Sequence, residues 1–371
     1  MVGEIMNEIY WIWLSLLPGV GPIFQKRLVE YFSSPENVFA ADEHDLYNNI
    51  SGINNIMVKS IIENQTLDKA KCIKEQCDKQ KIKILTINNQ NYCKIAKVCP
   101  ESPVVLYYKG NIKQIKDSVA IVGSRRCSDY GRKITQQIAA EISKQGIAII
   151  SGMAKGIDGY AHTTAIKSNG YTLAFLANSV EKCYPSEHLP LYEQIIENGA
   201  VLSEYPPGTK AHPKYFLKRN ALISAWSDKV IIVEAGEKSG ALTTANFAQK
   251  YKREIFAVPN RIDEPSSKGT NLLLETIAKP YVGLHSIKLK NINKIQQKSS
   301  TKIAKIKQKE VLCPIESKLL NLIRNKPKQI YEARSILDIS KNEMEELLFN
   351  LELLGKIKIQ GENIFIKNHK K

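Results

Sequence analysis

The chain has 371 residues, 43% of them hydrophobic, and a formal net charge of +16. That length predicts one large domain with one or two small ones, the apolar fraction is ample for a core, and the charge points toward polyanionic partners. No run of about 18 apolar residues occurs, which excludes a membrane span, and the seven cysteines form no C-x-x-C pair, so they read as reduced thiols of a cytoplasmic protein that carries no zinc.

Residues 1–66 read as all-helical. Here "LLPGVGPIFQKRLVEYF" (Leu16 to Phe32) and "ISGINNIMVKSII" (Ile50 to Ile62) each set a glycine turn between helical patterns. This is the layout of a helix-hairpin-helix or SAM-like domain, whose turn amides contact a DNA phosphate. The alternative is that the glycines only cap helices. Residues 81–285 then alternate strand and helix. Candidate strands are "KIKILTI", "PVVLYYKG", "SVAIVG", "IAIISG", "YTLAFLA", "AVLSEY", "KVIIVEA" and "EIFAVP". Runs apolar on both faces belong to a parallel sheet covered on both sides, which makes the expected fold α/β, an extended Rossmann-like doubly wound sheet. Residues 286–310 hold eight lysines and one acid and read as a basic linker. Residues 311–371 give three helical patterns and two alternating strands around Gly361, the order of a winged helix. Its third helix presents Glu343, Glu345, Glu346 and Glu352, which favours contact with protein over contact with DNA.

Four junctions after strands carry small or polar residues: Gly123-Ser124-Arg125, "SGMAKGIDGYAH" (151–162), "PGTKAHPKYFLKRN" (207–220) and "EAGEKSGALTTA" (234–245). In an open α/β sheet ligands bind outside the carboxyl ends of the strands, so the four loops predict one extended site. The first loop lacks G-x-G-x-x-G and no G-x-x-x-x-G-K-[ST] occurs, so no dinucleotide, ATP or other cofactor is expected. The candidates for catalysis are Asp158, His162 and Glu234. Each has a structural use as well: a helix cap, a place on a helix, an acceptor for loop amides. No Ser-His-Asp or Cys-His set is legible, so the structural uses are favoured and the protein is read as no enzyme.

With dinucleotide and ATP motifs missing, a nucleic-acid backbone is the remaining candidate, and such a backbone is held by a positive groove that tracks phosphates, helped by an aromatic ring on which a base stacks. The residues expected to do this are Gly123, Ser124, Arg125 and Arg126 in the first loop, and Ser151, Gly152, Lys155 and Gly156 in the second. Lys214, Phe216, Lys218, Arg219 and Asn220 follow in the third, and Ser239, Gly240 and Thr243 in the fourth. Arg125 can fork to a phosphate while the Gly123 and Ser124 amides donate beside it.

The set "AIVGSRR…YG", "SGMAKGIDGYAH", "LSEYPPGT", "FLKRN", "VIIVEA…SGALTTA" and "FAVP…KGTN" resembles DNA-processing protein A, the DprA/Smf family, over about 200 residues. The resemblance implies a dimeric protein that binds single-stranded DNA, protects it, and helps load RecA recombinase during natural transformation, without nuclease activity. The chain departs from the family pattern at Ala177 and Ser179, which replace glycines, and at Glu181, which replaces an aspartate. Ala221 replaces an arginine, "AWS" (225–227) a Gly-Leu pair, and "VPN" (258–260) a Pro-Gly turn. Two other readings compete. A nucleotide phosphoribohydrolase would share the Rossmann core, but its P-G-G-x-G-T-x-x-E signature has only "EAGEKSGALTTA" as a counterpart here. A protein-interaction scaffold would use the winged helix alone.

Overall fold

The computed structural model describes residues 2–287, 314–324, 326–353 and 355–366. All eight aliphatic runs form strands: β1 (Lys83–Thr86), β2 (Val105–Gly110), β3 (Ser118–Val122), β4 (Ala148–Ser151), β5 (Thr172–Phe175), β6 (Gly199–Ser203), β7 (Lys229–Ile232) and β8 (Glu254–Ala257). A ninth, β9 (Lys279–Pro280), closes one edge, and the sheet order is β1-β2-β6-β5-β4-β3-β7-β8-β9. The strands from β6 to β9 run parallel. The expectation of a parallel sheet is corrected at the other edge, where β2 pairs antiparallel with β6 and β1 antiparallel with β2.

Alternate residues of one strand go to opposite faces, and the core divides accordingly. Val119 and Ile121 of β3 join a cluster with Ile138, Ile142, Ile231 and Phe256. Ala120 and Val122 join a second cluster with Ile150, Phe175, Trp226 and Ile232. Helices Asp129–Lys144 and Ile157–Lys167 contribute to the first face, and Leu189–Asn198, Pro213–Ala225 and Gly240–Lys250 to the second. The chain leaves β3 for β4 to one side and reaches β7 on the other, so the strand order reverses between β3 and β7. That reversal opens a crevice at their carboxyl ends.

The amino-terminal region holds the helices Val2–Leu16, Pro22–Phe32, Pro35–Ala40, Glu43–Asn49 and Asn55–Glu63, and a sixth, Asp68–Lys79, carries it past residue 66. Ser34, Asp42 and Asn54 cap three of these helices with side-chain oxygens. Gly19 (φ 74°) and Gly52 (φ 76°) make the two glycine turns. The turns are tied together: Ser60 Oγ donates to the Pro18 carbonyl at 2.6 Å and Arg27 to the Ser51 carbonyl at 3.3 Å. Trp11, Ile12, Leu14, Leu28 and Val58 pack into the same continuous core as β1, β2 and β6.

The carboxy-terminal region comprises helices Pro314–Leu322, Ile330–Leu337 and Lys341–Leu353 with the strands β10 (Lys328–Gln329), β11 (Ile357–Gln360) and β12 (Asn363–Ile366), antiparallel in the order β10-β12-β11. It has its own core around Leu319, Ala333, Leu347, Leu351 and Ile364. The basic stretch expected as a linker lies, from residue 288 on, outside the described residues, as do Cys313 and the Glu346 side chain. Of the acids expected to face a partner, Glu343 is exposed and also caps its own helix with Ser340, its carboxylate accepting the Ser340 amide at 2.8 Å. Glu352 packs against this chain's own Arg132 at 3.6 Å.

Candidate nucleic-acid interface

A cleft of about 490 Å³ opens where the strand order reverses, lined by the loops after β3 and β7 and by helix Pro213–Ala225. Its walls include Gly123, Ser124, Arg125, Phe216, Arg219, Asn220, Ser239 and Gly240 of the residues expected from sequence. A side pocket of about 90 Å³ continues it past Gly152 and Lys155 toward Ala177, Tyr184 and Pro185. Arg126 is exposed at the rim. Ser151, Gly156, Lys214, Lys218 and Thr243 line neither cavity.

Arg125 is exposed, and its guanidinium carbon stands 5.3 Å from the centre of the Phe216 ring. Among the described residues no carboxylate pairs with it. The ring also carries Tyr184 edge-on at 5.8 Å. Arg219 also stands over this ring at 5.8 Å, so two guanidiniums flank Phe216 and only that of Arg125 is exposed. Opposite them, helix Gly240–Lys250 points its amino terminus into the cleft, and Ser239 Oγ caps it by accepting the Ala241 amide at 3.3 Å. Positive end, cation and ring thus face one space.

Arg219 plays a different part from the one expected. It is 5% exposed, donates to the Gly152 carbonyl and, at 3.3 Å, to that of Phe175, and stands 3.9 Å from Asp158. Burial pushes the Asp158 carboxyl up, while Arg219 and the Ala154 and Gly152 amides pull it back. The pair fixes the second loop to the third from beneath. Lys214 and Lys218 lie about half a helical turn away from Phe216, on the exposed side of Pro213–Ala225, so "KYFLKR" contributes its ring and its buried arginine to the cleft, and its lysines to the surface.

Several other expected donors serve the loops themselves. The Ser124 amide donates to the Glu234 carbonyl at 2.7 Å and its own carbonyl accepts the Ile157 amide at 3.2 Å, which corrects the expectation that this amide meets a phosphate. Ser151 Oγ donates to the Ile121 carbonyl at 2.7 Å. Asn220 donates to Thr243 Oγ1 at 2.9 Å and to the Gly240 carbonyl at 3.2 Å, holding the helix terminus in place. Lys155 pairs with Glu187. Gly156 has φ 74°, and a Cβ there would stand 2.7 Å from the Arg125 carbonyl oxygen, so only glycine lets the first two loops touch.

The three candidates for catalysis serve structure. Asp158 holds Arg219 and two amides. Glu234 is buried and accepts the Ser128 amide and hydroxyl at 3.0 and 3.1 Å. His162 is fully buried against Thr172 Oγ1 at 2.7 Å, and burial drives its pKa down to about 3. Sequence reasoning missed Lys238, Ala154 and Thr244 in the cleft and Tyr184 in the pocket. Lys238 lay inside the fourth loop, but no charge cluster singled it out, and Tyr184 fell outside all four loops.

Two of the departures from the family pattern, Ser179 and Glu181, form a brace. Ala177 presents its methyl to the side pocket. Ser179 Oγ lies 2.7 Å from the Glu181 carboxylate, which accepts the Gly208 amide at 2.7 Å, so two loops at the entrance to helix Pro213–Ala225 are joined. Trp226 is buried between Tyr92 and Phe175.

A sequence model of the family described as DNA recombination-mediator protein A matches residues 83–291. The chain belongs to this family. It is 35% identical to Protein Smf of Synechocystis sp. over 269 residues, 71% of this chain and 67% of the relative. It is 36% identical to the DNA processing protein DprA of Bacillus subtilis over 202 residues, 54% of this chain and 68% of the relative. The X-ray structure of DprA from Streptococcus pneumoniae covers 74% of this chain and 94% of its own, at 30% identity and a TM-score of 0.63. A structure of DprA from Helicobacter pylori, described by its single-stranded DNA binding mode, covers 56% of this chain and 93% of its own at 33% identity and a TM-score of 0.51. The family match begins at β1 and contains every loop of the cleft. Among the described residues no helix is long and apolar enough to cross a membrane.

Proposed function

We propose that the chain binds single-stranded DNA along the carboxyl edge of its sheet. The observation that carries this reading is the exposed Arg125 guanidinium held over Phe216 at the mouth of a cleft that also receives a helix amino terminus. Phosphates bridge Arg125, Lys238 and the start of helix Gly240–Lys250, and a base stacks on Phe216 for about 1–3 kcal/mol. The related Helicobacter pylori protein, described as binding single-stranded DNA, supports the same ligand here.

Within this reading the chain divides at residues 1–66, 81–285, 286–310 and 311–371, with a helix-hairpin-helix or SAM-like domain first and a winged helix last. It acts in the cytoplasm as a homodimer without catalysis of its own, protecting incoming DNA and helping to load RecA recombinase in transformation and recombination. The recombination-mediator role of the family supports these roles.

The test is binding of labelled oligo-dT and a duplex of equal length across a salt series. Single strands are expected to bind without sequence preference and better than the duplex. The plot of log K against log salt should fall with a slope of several counterions. A flat slope, or equal affinity for an uncharged backbone analogue, overturns the reading.

A further inference from the structure

Beside the cleft lies a second surface with the same chemistry, and this chain's own third carboxy-terminal helix covers it. The surface is built on helices Asp129–Lys144 and Ile157–Lys167 and on the turn at Ser186–His188. Its cations are Arg132 and Lys167, its rings Tyr160 and His188. Phe349 stacks on His188 with centroids 4.7 Å apart and planes 17° from parallel, and meets Tyr160 edge-on at 5.7 Å. The Glu352 carboxylate stands 3.6 Å from Arg132, and the Glu352 carbonyl accepts from Lys167 at 3.0 Å. Arg132 also donates to the Ile359 carbonyl at 3.2 Å.

A ring stacked on a ring and a carboxylate against a guanidinium are the contacts that a nucleotide makes with a protein groove, base on aromatic and phosphate on cation. The covered surface also runs into the cleft. His188 Nδ1 is 3.0 Å from the Met153 carbonyl in the second loop, and its chain neighbours Glu187 and Tyr184 hold Lys155 and line the side pocket. Arg132 and Glu352 are both mostly buried, at 14% and 16% exposure of their side chains, so the contact is a closed one.

We propose that Phe349 and Glu352 occupy, as a base and a phosphate would, a second stretch of the single-stranded DNA path, and that release of the carboxy-terminal helices extends the path over Arg132, Lys167, Tyr160 and His188. This rests on the single-strand reading of the cleft and adds to it an autoinhibited extension. The docked state binds a short strand at the cleft alone. The released state binds a longer one.

The experiment uses the full chain with Phe349→Ala and Glu352→Gln together. Hydrogen exchange at 157–167 and 186–188 reports release, and affinities for oligo-dT of about ten and about forty nucleotides report the path. Release with at least fivefold tighter binding of the long strand, little change for the short one, and loss of the gain when Arg132→Ala is added is the expected result. Unchanged or weaker binding of the long strand in a released variant overturns the proposal. So does a gain that survives Arg132→Ala, or exchange showing the helix still docked. If the parent protein fails to bind either oligonucleotide, the cleft reading itself falls, which separates the two failures.

Discussion

Two arginines beside one phenylalanine show how position decides role. Arg125 and Arg219 stand 5.3 and 5.8 Å from the centre of Phe216, yet one is exposed and the other is sealed against Asp158. Arg125→Ala is expected to weaken oligo-dT binding at least tenfold, about 1.4 kcal/mol, with the thermal midpoint within a few degrees of the parent. Arg125→Lys should recover only part, since an ammonium cannot fork to a phosphate. Arg219→Met leaves the buried Asp158 without that guanidinium and with the Gly152 and Ala154 amides as partners, and should cost about 3–5 kcal/mol in a denaturant titration; equal stability in the Arg125→Ala and Arg219→Met variants would refute the division. Arg125 was legible in the sequence because it follows a strand and a glycine. The burial of Arg219 was not, because a run such as "KYFLKR" looks uniformly solvated until the spacing of Phe216, Arg219 and Ile223 is read as one inward helix face.

At the scale of elements, the loops are held by one another more than by their strands. Ser124 is bonded to the fourth loop through its amide and to the second through its carbonyl, and Gly156 lets the two backbones meet. Gly156→Ala should therefore cost more than about 1 kcal/mol, from the positive φ and the close carbonyls, and should also weaken oligo-dT binding, because Arg125 moves with its own carbonyl. Thermal melting and anisotropy check the two halves; a variant that melts early but binds normally would detach Arg125 from the loop contact. Eight strands were legible as aliphatic runs, most of them bounded by glycine or proline. β9 was not, since it is two exposed residues, one of them proline. The helix Asp68–Lys79 was missed because its twelve residues are mostly polar and bury only Ala70, Ile73 and Cys77.

For the whole molecule, two buried histidines, His162 and His188, have pKa values lowered by burial and work against the fold in acid. His162 titrates near pH 3 in the fold against about 6.5 unfolded, so its contribution is complete above pH 6.5 and is lost as pH falls toward 3. The buried Asp158 and Glu204 carboxyls are raised by burial and act oppositely, adding stability at low pH that fades as pH rises. Denaturant midpoints from pH 7 to pH 4 should fall in the parent and fall less in His162→Asn; parallel curves would remove His162 as the cause. The doubly wound sheet was legible at this scale and its antiparallel edge was not, because "PVVLYYKG" is apolar on both faces whichever way its neighbour runs. That edge governs the order of assembly. β2 ends at Gly110, but its partner strand starts at Gly199 and ends at Ser203, and the amino-terminal helices share their core with it. A chain emerging from the ribosome therefore carries its first 110 residues with one sheet edge unpaired until about 90 more have followed. This edge of the sheet is made before its partner and completed late, and a holdase would find its target there.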